Sequence, residues 1–195
     1  MGERFETIRT ARLVMRRWRE SDREPFAAMN ADPEVMRYFP VQLTARDRAA
    51  SDESIDRMEA LFEAQGFGLW ALEVAGTSEF IGFTGLNPMP PGVPGAGGME
   101  VGWRLAQGAW HQGYATEAAR AAVDVAFRGA GLSELWSMTA VLNEPSQAVM
   151  RRIGMTLYTH FEHPRVAPGD PLRPHVLFRL PAPGPGEGPA TARSG

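Results

Sequence analysis

The sequence predicts a mixed α/β fold in a single domain, and three observations lead there. Strand-like patterns, helix-like patterns and strand-like patterns follow one another along the chain, with no internal repeat. The 195 residues are 44% hydrophobic, enough for one core. The only Pro/Gly-dense stretch before the C-terminal tail runs directly into another strand pattern, so it reads as a loop and not as a domain linker.

In chain order, Arg12 to Trp18 alternates as a first strand. Ser21-Asp22 precedes a helical run through Met29, and Asp32-Pro33 opens a second short helix with Asp32 as cap and Pro33 at its first position. Ala45 to Gln65 is helical, with Ile55, Met58, Leu61 and Phe62 at helix spacing, and Gly66 ends it. Gly68 to Val74 and Phe80 to Leu86 form a hairpin across Ala75-Gly76-Thr77-Ser78. Pro88 to Gly98, with four prolines and four glycines, is a loop that either folds over a site or stays mobile. Strands follow at Met99 to Leu105, Leu135 to Val141, Met155 to Phe161 and Val176 to Leu180. Helices cover Thr116 to Phe127, with Ala118, Ala119, Ala122, Val123 and Ala126 on the packing face, and Ser146 to Ile153. The domain is expected over 8–180. Residues 181–195, rich in Pro and Gly without apolar periodicity, cannot offset their ordering entropy and are expected to be disordered.

Composition removes several classes. With no cysteine, disulfides, zinc–thiolate sites and a cysteine nucleophile are excluded. Every basic residue is arginine, which excludes a Schiff-base lysine and the lysine of a phosphate-binding GKS/GKT loop. A net charge of −3 carries no nucleic-acid footprint. No apolar stretch approaches a membrane span, the first residues lack a signal core, and a cytoplasmic protein without membrane contact is expected. The histidines show no metal-ligand spacing, so no metal is expected.

The segment that carries chemistry is Met99 to Ala119, MEVGWRLAQGAWHQGYATEAA. A strand runs into a turn at Gln112-Gly113-Tyr114-Ala115, and a long helix begins there. Such a turn exposes main-chain N–H groups at the positive end of a helix dipole, and a pyrophosphate suits that position. An ordinary strand-to-helix turn whose glycine serves only geometry has the same pattern, and the turn alone does not choose between them. A dinucleotide turn is disfavoured, because no G-x-G-x-x-G is present.

The segment resembles the coenzyme A site of the GNAT superfamily of N-acetyltransferases, Gln/Arg-x-x-Gly-x-Gly/Ala. Gly113 and Ala115 match the last positions, and Trp110 replaces the Gln or Arg. That replacement is similar to the branch of ribosomal-protein N-terminal acetyltransferases (RimJ/RimL type), which favours W-x-x-G-Y-A-T-E-A. TARLVMR at Thr10 to Arg16, Asp32-Pro33-Glu34-Val35-Met36, Glu100-Val101-Gly102-Trp103 and Asn143 to Gly154 resemble that branch in the same order.

The resemblance implies a central, mostly antiparallel twisted sheet of six to seven strands, splayed between the fourth and fifth and flanked by about four helices. It implies acetyl-coenzyme A as co-substrate and direct transfer to a primary amine, either a protein or peptide α-amine or a small-molecule amine. It also implies a tendency to form homodimers. The backbone of Trp103, Arg104 and Leu105 would pair with the pantetheine arm, and Gln112, Gly113, Tyr114, Ala115 and Thr116 would hold the pyrophosphate. Asn143 would contact the coenzyme, cap the following helix, or do both.

For the general base the choice is Glu100, against a structural carboxylate paired with an arginine; Glu162 and His160 are weaker candidates near the far wall. His160, His163 and His175 read as solvent-facing or structural. For the group near the coenzyme sulfur the choice is Ser146, against a first-turn helix residue satisfying backbone groups. Many family members carry a tyrosine where this chain has Met150. A non-catalytic acyl-coenzyme A sensor that keeps the turn but lacks an acceptor site is the alternative function.

Overall fold

A computed structural model describes residues 4–41 and 47–184. One open sheet of eight strands runs through the domain in the order β1-β2-β3-β4-β5-β6-β8-β7. The strands are β1 (Thr7–Arg9), β2 (Leu13–Arg16), β3 (Leu69–Val74), β4 (Phe80–Pro88), β5 (Met99–Leu105), β6 (Glu134–Ala140), β7 (Thr156–Glu162) and β8 (Pro174–Pro181). The helices are α1 (Arg23–Ala31), α2 (Pro33–Met36), α3 (Arg48–Gln65), α4 (Tyr114–Asp124) and α5 (Glu144–Arg152). The expected strand count falls short by β1, a three-residue segment too brief for alternation to reveal; it pairs with β2 at Ile8↔Met15.

Every neighbouring pair is antiparallel except β5 and β6. These two run parallel and share a single register pair, Glu100↔Trp136. The strand expected to be fourth is therefore β5, and the expected splay lies between β5 and β6.

Local chemistry explains the helix ends. Asp32 Oδ1 accepts from the Glu34 N–H at 2.9 Å, with Pro33 at the first position, as read from the sequence. Gly66 ends α3 in the left-handed region at φ 78°. The expected start of that helix at Ala45 lies outside the described residues. In α4 and the turn that continues it, Ala118, Ala119, Ala122 and Ala126 are fully buried, which lets the helix lie close on the sheet. Val125 is buried at 7% exposure, in helical step with Ala118 and Ala122, Val123 packs half-buried on the same core, and a π turn closes the helix at Val125–Gly129.

Three apolar clusters hold the sheet. The largest joins α4 and the Phe62 side of α3 to Leu13, Trp70, Leu72, Val101 and Leu135. The second, on the opposite face, packs α1, α2 and α3 around Trp18, Phe26 and Ala71. The third pins the Pro88–Gly98 loop through Met89 and Val93 on Trp136 and Leu177. That loop is therefore a packed wall: a side chain at Gly98 would meet the Trp136 ring at 2.8 Å. At the C-terminus, β8 reaches Pro181, one residue into the expected tail, and Ala182 N–H donates to Ser133 O at 2.8 Å. Residues 185–195 lie outside the described residues. Among the described residues no helix is long and apolar enough to cross a membrane.

Candidate active site

The splay of β5 from β6 opens a cleft of about 1930 Å³ that passes through the sheet. It is lined by Glu100, Trp103, Arg104, Leu105, Gly113, Tyr114, Ala115, Thr116, Asn143 and Ser146 among others, so nearly all of the sequence-predicted residues meet there. Gln112 does not line it. Its amide donates instead to Gly108 O at 3.1 Å, and its carbonyl accepts from Arg12 at 2.8 Å.

At one end of the cleft α4 begins. Gly113 takes φ 80°, a conformation strained for any residue with a Cβ, and this directs the chain into the helix. No side chain caps α4, and Glu117 N–H is the first to reach back, to Gly113 O at 3.1 Å. The N–H groups of the first turn, Tyr114 to Thr116, therefore point from the positive end of the dipole without an intrahelical partner.

A strap that sequence reading missed fixes this turn. The Arg12 guanidinium donates to Glu117 and to the Gln112 carbonyl and lies 4.8 Å over the Tyr114 ring. The Thr10 hydroxyl donates to Glu117 at 2.6 Å. Burial raises the Glu117 pKa, but the hydrogen bonds from Thr10 and Arg12 outweigh it and leave the carboxyl below its usual value. TAR at Thr10 and TEA at Thr116 were visible as motifs; that they clasp each other across more than a hundred residues was not.

Along the cleft, Trp103, Arg104 and Leu105 lie past the single β5–β6 register pair. The Trp103 indole packs half-buried on the main core. The Leu105 carbonyl accepts from the Trp110 indole at 2.9 Å. The Arg104 side chain crosses to the α1 side, donates to Asn30 Oδ1 at 2.6 Å and stacks 4.2 Å from the Phe39 ring.

Glu100 sits beside the splay, paired across the ladder with Asn87. The Asn87 amide donates to it at 3.3 Å, and among the described residues no arginine lies within ion-pair distance. The structural-carboxylate reading is thus not what the geometry supplies. Burial pushes the Glu100 carboxyl up to about 7, with the Asn87 amide acting in the opposite sense. Such a group can take a proton near neutral pH.

Across the cleft, Asn143 caps α5: its Oδ1 accepts from Ser146 N–H at 3.3 Å and its Nδ2 donates to Thr139 at 2.9 Å. Ser146 is half-buried in the cleft wall, and among the described residues its hydroxyl has no hydrogen-bond partner. Met150 is fully buried in the main core and faces no ligand. His160 and Glu162 are exposed and outside the cleft, and Glu162 pairs with Arg173. His163 and His175, expected to face solvent or serve structure, are buried in the cleft wall at 2% and 5% exposure. No group of His, Asp or Glu among the described residues forms a metal site.

Comparison with known proteins agrees with this geometry. The acetyltransferase (GNAT) domain family matches residues 12–156. The chain is 33% identical over 154 residues to the FsC-acetyl coenzyme A-N(2)-transacetylase of Aspergillus fumigatus, a match that takes in 77% of this chain but 65% of the fungal protein, just under two thirds of it. The crystal structure of an acetyltransferase from Agrobacterium tumefaciens superposes with a TM-score of 0.71 at 30% identity, covering 89% of this chain and 93% of that one. RimL, a ribosomal L7/L12 alpha-N-protein acetyltransferase solved in complex with coenzyme A, shares the fold with a TM-score of 0.72 at 17% identity, over 91% and 98% of the two chains.

Proposed function

The chain belongs to the GNAT acetyltransferase family, and from that premise we propose that it moves the acetyl group of acetyl-coenzyme A to a primary amine by direct attack in a ternary complex. The observation that carries the reading is a through-sheet cleft with uncapped helix N–H groups at one end and a half-buried, raised-pKa carboxyl along its wall. The first-turn N–H groups of Tyr114, Ala115 and Thr116 suit a diphosphate, and Gly113 lets it approach the backbone. When bound, acetyl-coenzyme A supplies an activated acyl carbon and a thiolate leaving group. Trp103 and Arg104 offer main-chain groups past the β5–β6 pair to an extended arm.

Glu100 takes the proton that the neutral amine sheds as it attacks the acyl carbon, directly or through water, and its pKa of about 7 is matched to that task. The Ser146 hydroxyl, without a protein acceptor, is available to a departing sulfur. Asn143 holds α5 and Ser146 in place. Without cysteine no acetyl-cysteine can form. The acceptor is a peptide α-amine or a small-molecule amine. A cytoplasmic homodimer without a nucleic-acid partner belongs to the same reading, supported by the likeness to the RimJ/RimL type and by the net charge of −3.

The test is thiol release from acetyl-coenzyme A across a panel of peptides and small amines, with the N-acetylated product identified by mass. Turnover on at least one amine is expected. Tight binding of acetyl-coenzyme A with no turnover on any amine would leave the sensor reading in its place.

A further inference from the structure

The far wall of the cleft holds a polar device that the transfer chemistry does not use. His175 lies on β8, opposite Ala140 of β6 and Phe161 of β7, and His163 follows β7. Their ring centroids are 4.9 Å apart. One carbonyl joins the two residues: Arg173 O accepts from the His163 main-chain N–H at 2.9 Å and from the His175 ring Nδ1 at 3.0 Å. A carbonyl can only accept, so His175 Nδ1 carries a hydrogen and the Nε2 of the neutral ring is a bare acceptor. His163 Nδ1 accepts from the Arg165 N–H at 3.3 Å, so the hydrogen of that neutral ring is on Nε2.

Both rings are neutral near pH 7. Burial, then His175 and Arg165, lower His163 to about 4. Burial lowers His175, against the Arg173 carbonyl and Glu162. The wall thus presents one donor and one acceptor side by side. Among the described residues neither Nε2 has a hydrogen-bond partner. Both residues line the cleft. Polar groups placed this way are costly unless a ligand or water answers them.

We propose that His163 and His175 read an uncharged part of the amine acceptor that both accepts and donates a hydrogen bond on one side, a hydroxyl or the C=O and N–H that one extended peptide residue turns the same way. His163 Nε2–H donates to its oxygen, and His175 Nε2 accepts its N–H or O–H. This rests on the acetyl-transfer reading above and names the acceptor's recognised chemistry. The register sets where that group lies. Glu100 stands beside Trp136, and His175 beside Ala140, four residues further along β6 on the same face. At roughly 3.3 Å per residue the two positions are about 13 Å apart along the strand. The recognised group is therefore about four residues along an extended peptide from the reacting amine, or an equivalent distance in a small molecule.

The test compares kcat/KM for alaninamide, trialanine amide and pentaalanine amide, and for 5-aminopentanol and 9-aminononanol against their methyl ethers. Each is referred to an alkylamine of matched length. Each ratio is internal to one protein sample, so a change in folded fraction cancels. In the wild type, one series is expected to gain about tenfold at the longer members, through KM and not kcat, since a site built to bond a polar group discriminates against analogues lacking it. A gain in the peptide arm identifies an amide and a gain in the alcohol arm a hydroxyl. His163→Leu and His175→Leu each bring the ratio to within about twofold of one, while His175→Gln, which returns an amide oxygen near the lost Nε2, keeps part of it. Ratios near one in the wild type, or a gain that survives both leucine variants, overturn the inference and leave acetyl transfer standing. No turnover on any amine removes acetyl transfer and the inference with it.

Discussion

On β3, Glu73 is enclosed with its charge answered: Arg16 Nε donates to it at 2.8 Å and Arg19 at 3.2 Å, while Arg16 also grips Asp22 at 2.7 and 2.9 Å. Two strands away on β5, Glu100 has, among the described residues, only the Asn87 amide at 3.3 Å. Both carboxylates are shielded by the same sheet. In the first region every charge has a partner within the chain, and the cluster fastens β2, β3 and the start of α1. In the second, the splay of β5 from β6 leaves donors, acceptors and a carboxyl with capacity to spare. Closed polar groups hold the fold; open ones mark where it acts.

The largest expected effect tests the closed region. Arg16→Met strands Asp22 and Glu73 without their shared cation and should cost about 3–5 kcal/mol in a urea melt, with unchanged kcat/KM per folded molecule. A loss below about 1 kcal/mol would mean that the cluster is not what fastens β2 to β3.

The open region should respond in the opposite direction. The folded Glu100 pKa, about 7, lies above the 4.5 of an ordinary glutamate, so this group's contribution to stability is complete below pH 4.5 and is lost as pH rises through 7. Glu100→Gln removes that loss and should stabilise the protein at pH 8 by on the order of 2 kcal/mol, with little change at pH 4. Equal melts of the two proteins at both pH values would contradict the burial of an uncompensated charge.

Smaller effects sharpen the comparison at the helix entrances. Gly113→Ala places a Cβ at φ 80° and 3.4 Å from the Arg12 guanidinium; a strain of roughly 1–2 kcal/mol should raise the acetyl-coenzyme A Kd about tenfold, read by calorimetry. Asn143→Ala removes the α5 cap and should cost about 1 kcal/mol in stability.

The same contrast explains what the sequence disclosed. Caps and turns are local chemistry, so Asp32, Gly66, Gly113 and Asn143 were legible where they stand. The strand–turn–helix around Gly113 and the family likeness together located the cleft. The Thr10–Arg12–Glu117 strap and the Arg16 cluster were not legible, because their members meet only through sheet order. His163 and His175 read as solvent-facing or structural, and sequence could not choose, because the groups that meet them, the Arg173 carbonyl and the Phe161 ring, come together only in the β7–β8 hairpin.

The most direct measurement of Glu100 as the base is the pH dependence of kcat/KM, based on total amine, for the wild type and Glu100→Gln. In the wild type, log kcat/KM should rise with slope two below pH about 7, where both Glu100 and the amine must lose a proton, and with slope one from there to the amine pKa. Glu100→Gln should lose about 10²-fold or more at pH 8 and keep slope one throughout. Superimposable profiles of equal height, or a bend at pH 7 that persists in the variant, would contradict the account.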